Sequence, residues 1–190
     1  RFPYPTLFRS FRVSGSELAI TAAGVLAFAS APDYETKSTY TATVTTSDGT
    51  NTTSQDLTIS VTIVNDNSPV FTSSASRSAG ENQASIGTVT ASDADGDSVT
   101  FTISGSELSI TAAGVLTFAS APDYETKSSY SATVTVSDGV NTDTQALTIT
   151  ITNVNDVAPV IGSTATFSAA ENQTAIGTVT ATDKIGRAHV

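Results

Sequence analysis

The strongest constraint on this chain is internal repetition with a period of 90 residues. SGSELAITAAGVLAFASAPDYETKSTY begins at Ser14, and SGSELSITAAGVLTFASAPDYETKSSY begins at Ser104. Residues 11–69 match residues 101–159 at 43 of 59 positions, and SAGENQASIGTVTASD (78–93) returns as SAAENQTAIGTVTATD (168–183). Copies this similar must adopt the same structure, so the chain folds as an array of small modules, not around one large core. The register assigns residues 11–68 to the C-terminal part of one repeat, 69–158 to a complete repeat and 159–183 to the start of a third.

The register breaks abruptly at both ends. RFPYPTLFRS (1–10) and KIGRAHV (184–190) share nothing with the repeat and resemble in-frame translations of short-read sequencing adapters. They are read as non-native segments and set aside, as a purification tag is. The exclusion changes the chemistry. It removes His189, the only histidine, and four of the eight cations (Arg1, Arg9, Lys184, Arg187), whereas all 18 acids lie within 11–183. Four cations against 18 acids leave a charge of −14 on the repeats.

Within the complete repeat, TVTASD, SVTFTIS, LSITAAGVLTFAS, YSATVTVSDG and ALTITITNV are alternating or β-branched runs separated by turn residues. Side chains alternate across a strand, so every-second-residue hydrophobicity marks one face on a core and one in water. Seven or so short strands in a 90-residue repeat predict an all-β array of small Ig-like β-sandwiches set end to end. The expected core is Phe101, Ile103, Leu108, Ile110, Leu116, Phe118, Tyr130, Val134, Val136, Leu147, Ile149 and Ile151. Ala-Gly at the centre of SITAAGVLTF is expected to form a tight hairpin.

Several function classes are disfavoured at once. No cysteine is present, which removes disulfides, thiolate metal sites and thiol chemistry. Strong acidity argues against a nucleic-acid partner, because phosphate binding needs clustered cations. No apolar stretch approaches the roughly 20 residues of a membrane span. An enzyme is the weakest reading: the serines and threonines have no histidine base once the tail is set aside. Carboxylate pairs could serve a glycosidase, but these recur in every repeat.

The acids recur in fixed phrases: GENQ with Glu81, DADGD with Asp93, Asp95 and Asp97, PDYE with Asp123 and Glu125, SDG with Asp138, and NVND with Asn155 and Asp156. Hard cations such as Ca²⁺ take six to eight oxygens from carboxylates, amides and backbone carbonyls. Asp-x-Asp in an extended segment points both carboxylates to one side, and Asp-Tyr-Glu is expected to do the same. An EF-hand is excluded by spacing, since Ser98 and Ser104 fall where its glycine and its bidentate glutamate belong.

The order E-N, D-x-D, D-Y-E, S-D-G and N-D-N-x-P, with NDNSPVF at 65–71 the most specific phrase, resembles cadherin repeats over all of 11–183. The short Thr/Ser-rich repeat is most similar to the cadherin-like repeats of bacterial secreted surface proteins. The resemblance implies Ca²⁺ held between consecutive repeats. At the first junction it implies Asp33, Glu35, Asn65, Asp66, Asn67, Asp93, Asp95 and Asp138 as ligands. At the second it implies Glu81, Asp123, Glu125, Asn153, Asn155, Asp156 and Asp183, with Ile185 where the second D-x-D acid belongs. Asp97 is expected to be plain surface.

Ile63 and Asn153 replace the usual first linker aspartate, and Val157 replaces the last linker asparagine, so fewer or weaker ions are expected than in the full pattern. The implied role is a calcium-stiffened extracellular stalk or adhesive segment. Its partners would be neighbouring repeats, and beyond them other surface proteins or glycans. Homophilic strand exchange of the animal type relies on an anchoring tryptophan, which this chain lacks. The alternative is a calcium-independent Ig-like spacer or a carbohydrate-binding module. The latter usually displays aromatics, which here occupy mostly core-type positions.

Overall fold

The computed structural model describes residues 10–183, so the adapter-like segments fall outside the described residues except for Ser10. Two compact units emerge. The first comprises 10–67 with the loop Ala94–Asp97, and the second comprises Ser68–Asp93 with the residues from Ser98 onward. Both are all-β, as the alternation predicts.

In the second unit the strands are β6 (Val70–Phe71), β7 (Ser76–Gly80), β8 (Ser85–Thr88), β9 (Ala91–Ser92), β10 (Thr100–Ile103), β11 (Leu108–Ile110), β12 (Val115–Phe118), β13 (Ser129–Ser137) and β14 (Thr142–Thr152). One sheet runs β10-β13-β14-β7, the other β11-β12-β8, and β6 pairs with β9. All contacts are antiparallel except β14 with β7, which is parallel. The pairs β15 (Val160–Ile161) and β16 (Ala181–Thr182) repeat the β6–β9 arrangement.

The two sheets close over one core. β14 alternates cleanly, with Leu147, Ile149 and Ile151 inward and Thr148 and Thr150 outward. Phe101, Leu108, Leu116, Phe118, Val134 and Val136 join them as expected, while Ile103, Ile110 and Tyr130 pack half-buried at its margin. Ala79 and Val89 complete the core from β7 and from the residue just after β8. Phe118 meets Tyr130 edge to face at 5.0 Å, and Lys127 sits over the same Tyr130 ring while pairing with Glu107.

In the first unit β1 (Ser10–Val13), β4 (Thr39–Ser47) and β5 (Thr52–Ser60) form one sheet, and β2 (Leu18–Ile20) and β3 (Leu26–Phe28) form another. Strand pairing uses backbone groups alone, so Ser10 extends β1 opposite Ser47 although it lies outside the repeat. Phe28, Tyr40, Lys37 and Glu17 reproduce the Phe118, Tyr130, Lys127 and Glu107 group.

The β11–β12 hairpin is wider than the expected Ala-Gly turn. Its loop is Thr111–Gly114, with Gly114 N–H donating to the Thr111 carbonyl and Thr111 N–H to the Val115 carbonyl. Gly114 has φ +85°, and a Cβ there would lie 2.2 Å from the Val89 carbonyl oxygen. Gly105 has a similar φ of +81° with open space around it. Gly105→Ala is therefore expected to cost about 1 kcal/mol from strain alone, and Gly114→Ala about 2–3 kcal/mol from strain plus collision. Urea melts of the two variants check the difference.

Candidate functional site

Three groups of carboxylates come together among the described residues, each with one oxygen per residue within 4.8 Å of the others. The first is Glu35, Asp66 and Asp95, all in the first unit. The second is Glu81, Asp123 and Glu125, all in the second. The third is Asp93, Asp95 and Asp97, sequence neighbours whose spacing alone brings them close.

Local turns place these acids. Asp123–Lys127 is a tight turn, not the extended segment expected, because Lys127 N–H bonds the Asp123 carbonyl at 2.9 Å. The Asp123 carboxylate accepts the Glu125 N–H at 2.9 Å and the Thr126 hydroxyl at 2.8 Å. Asp33 does the same with Glu35 and Thr36. These Asx-type caps satisfy backbone donors that a turn leaves open. Thr36 and Thr126, acting chiefly through their hydroxyls, hold Asp33 and Asp123 below the usual carboxylate range. A lowered folded-state pKa favours folding at neutral pH, and that contribution fades as pH falls through the lowered value.

The Glu35 group is built on the linker. Asp95 accepts N–H bonds from Asp66 at 3.1 Å and Asn67 at 2.9 Å, and the Asn67 side-chain amide donates to it at 2.9 Å. That amide is the main reason the Asp95 pKa is lowered. Glu35 moves the other way, raised by loss of hydration and then by the negative Asp95 beside it. Like charges this close are costly without a cation between them.

The Glu81 group is the more buried. Glu81 is only 4% exposed; one carboxylate oxygen accepts the Tyr124 N–H at 2.7 Å and the other the Val154 N–H at 2.6 Å. Asn153 donates its amide to Glu125 at 2.8 Å, and Asn82 donates to Asp156. Asn82 was not among the expected site residues. It holds φ +64° and also bonds the Pro122 carbonyl, so it turns the chain just after Glu81. Its signal was present in the E-N phrase, where an asparagine tolerates the left-handed conformation.

The other expected ligands are placed as follows. Asp93 and Asn65 are half-buried, whereas Asn155 and Asp183 are exposed. Asp138 is not in any of the three groups; it caps the β13–β14 turn, accepting the N–H groups of Val140 at 2.7 Å and Asn141 at 2.6 Å. Asp48 does the same in the first unit.

Ligands held 2.3–2.6 Å from one calcium ion lie within about 5 Å of one another, so the two long-range groups have suitable spacing and all-oxygen chemistry. Asn67 and Asn153 can each present a carbonyl oxygen by rotating the amide.

Residues 65–150 match the bacterial Ig domain family. No curated protein sequence matches the chain. Among solved structures, protocadherin gammaB7 EC3–6, described as a cis-dimer, aligns with TM-score 0.71 and 25% identity over 80% of this chain and 43% of that one. Mouse cadherin-23 EC22–24 aligns with TM-score 0.71 and 21% identity over 96% of this chain and 68% of that one. Human CDH23 EC21–23 aligns with TM-score 0.73 and 20% identity over 94% and 69%. The chain thus spans less than half the length of the protocadherin structure. With sheets, core and repeat register in agreement, the chain is a tandem array of cadherin-like, Ig-type β-sandwich domains.

Proposed function

We propose that this chain is a calcium-binding segment of an extracellular stalk or adhesin. Ca²⁺ would be held at Glu35, Asp66 and Asp95, with Asn65, Asn67, Asp33 and Asp93 around them. A second site would use Glu81, Asp123 and Glu125, with Asn153, Asn155, Asp156 and Asp183. The observation that carries this reading is the convergence of acids from distant sequence positions, 35 with 66 and 95, and 81 with 123 and 125. Calcium would neutralise their repulsion, tie the Ala94–Asp97 loop to the Asn65–Asn67 linker and stiffen the array. Asp138, committed to its own turn, is the weakest member of the proposed set.

A metal-independent Ig-type spacer is the second reading. It is favoured by the bacterial Ig match and by the turn caps, which satisfy Asp33, Asp48, Asp123 and Asp138 without a cation. Thermal melts in excess EDTA and in millimolar CaCl₂ separate the two. Binding to the folded state is expected to add about 1–3 kcal/mol per site at tens to hundreds of Kd, with no such gain from magnesium. Superimposable melts would leave the spacer. Glu35→Gln removes one ligand charge from an exposed side chain, so calcium affinity at the first site should fall about tenfold, while the metal-free melt should rise slightly as repulsion from Asp95 is relieved.

A further inference from the structure

A hollow of about 330 Å³ opens in the second unit where the Gly80 end of β7, the Ser85 end of β8 and the Thr152 end of β14 meet. Its volume falls at the lower end of the range for small-molecule sites. No charged side chain lines it, so an ion would find no countercharge there. The polar lining comes from the hydroxyls of Ser78, Ser85 and Thr152 and from the amide of Gln83, with Ile86 half-buried beside them. Thr152 donates its hydroxyl to the Ala79 carbonyl at 3.2 Å. The side chains of Ser78, Gln83 and Ser85 are exposed and make no hydrogen bond among the described residues, so all three are open to a ligand.

Gly80 seats Gln83. A Cβ at residue 80 would lie 2.8 Å from Gln83 Nε2, so the amide rests directly against the glycine. Gly80 lies in strand β7 opposite Thr152, and its missing side chain serves this contact, not a turn. The sequence treats the lining as a variable patch. Residues 78–93 and 168–183 differ at four positions, and two of the four fall here: Ala170 stands for Gly80 and Ala175 for Ser85. Gln173 still matches Gln83. The later copy thus keeps the amide but loses the glycine that seats it and one of the hydroxyls.

We propose that this hollow binds a neutral hexose ring. Each sugar hydroxyl both donates and accepts, and so do the serine and threonine hydroxyls, while the glutamine amide offers both a donor and an acceptor. Ile86 supplies an apolar contact for the C–H face of the ring. A uronic or phosphorylated sugar would bring a charge that the lining cannot meet, into a chain that is itself strongly acidic. The site goes beyond the calcium-stiffened stalk and does not depend on it, since none of the proposed calcium ligands lines the hollow.

An amide-resolved NMR titration of the 190-residue chain in excess EDTA tests this. The methyl glycosides of glucose, galactose and N-acetylglucosamine serve as neutral probes, and glucuronic acid as the charged control. At least one neutral probe at millimolar concentration should shift the amides of Ser78, Gln83, Ser85 and Thr152, and glucuronic acid should not. Gln83→Ala and Ser85→Ala should each weaken that binding about threefold to tenfold, the worth of one net hydrogen bond. Both side chains are exposed, so the melting temperature should not change. Gly80→Ala should weaken binding as much as Gln83→Ala, and the two together no more than either alone, because both act through one amide. No response to any neutral probe overturns the proposal. So do shifts confined to another part of the repeat, an equal response to glucuronic acid, or binding that appears only with calcium. The titration of the unsubstituted chain decides these outcomes even if a variant fails to fold.

Discussion

Replacing Leu116 with alanine is expected to destabilise the second unit by about 3–5 kcal/mol, the range for a fully enclosed leucine whose cavity cannot collapse. Leu116 is 0% exposed, in β12 between β11 and β8, and its neighbours are the large side chains of both sheets. Leu26→Ala, in the same AGVL phrase one repeat earlier, should cost only about 1–2 kcal/mol, because a half-exposed side chain loses less transfer energy and opens a groove that water already reaches. Denaturant melts of the two variants, monitored with each unit's own transition resolved, check the ratio. Equal losses would mean that the two leucines are equally enclosed in solution.

That contrast also marks what the sequence could disclose. The strands β10 to β14 and nine of the twelve expected core residues were legible because β-branched and apolar residues alternate there without interruption. Strand β7 was not, because its inward positions are Arg77 and Ala79, and an arginine hides the period. Its parallel pairing with β14 is set by the sandwich, not by any local signal. Nor could identical phrases reveal unequal burial. Leu26 and Leu116 sit in the same local context, and only the presence of a strand on the far side separates them.

The proximity of the candidate acids was more legible than the local geometry that produces it. The phrases brought Glu35, Asp66 and Asp95 together as expected, and likewise Glu81, Asp123 and Glu125. The expected means of bringing them together was wrong for Asp-Tyr-Glu. There the carboxylates are set by a turn that Asp123 caps, with Thr126 as the unanticipated partner. Asp138, a ligand implied by the resemblance, caps its own turn, as Asp48 does one repeat earlier.

The last prediction concerns Glu81, where fold and proposed function meet. Its carboxylate joins the Tyr124 loop to the Val154 linker through two backbone N–H groups, in a place water hardly reaches. Glu81→Ala leaves both part-buried donors without their acceptor, and each such loss costs about 1–3 kcal/mol, more when the acceptor was charged. The expected loss is about 3–5 kcal/mol in EDTA, before any metal enters. Glu81→Gln keeps the shape but turns an NH₂ toward one of the two donors, so it should recover only part of that loss. A residue that served solely as a metal ligand would behave in the opposite way, melting like the unsubstituted chain in EDTA and differing only in calcium. Each Glu81 oxygen still has a lone pair to offer a cation after accepting its N–H, so the two roles are compatible. The clamp would then hold the loop and the linker in place ahead of the ion, lowering the ordering cost that calcium must otherwise meet.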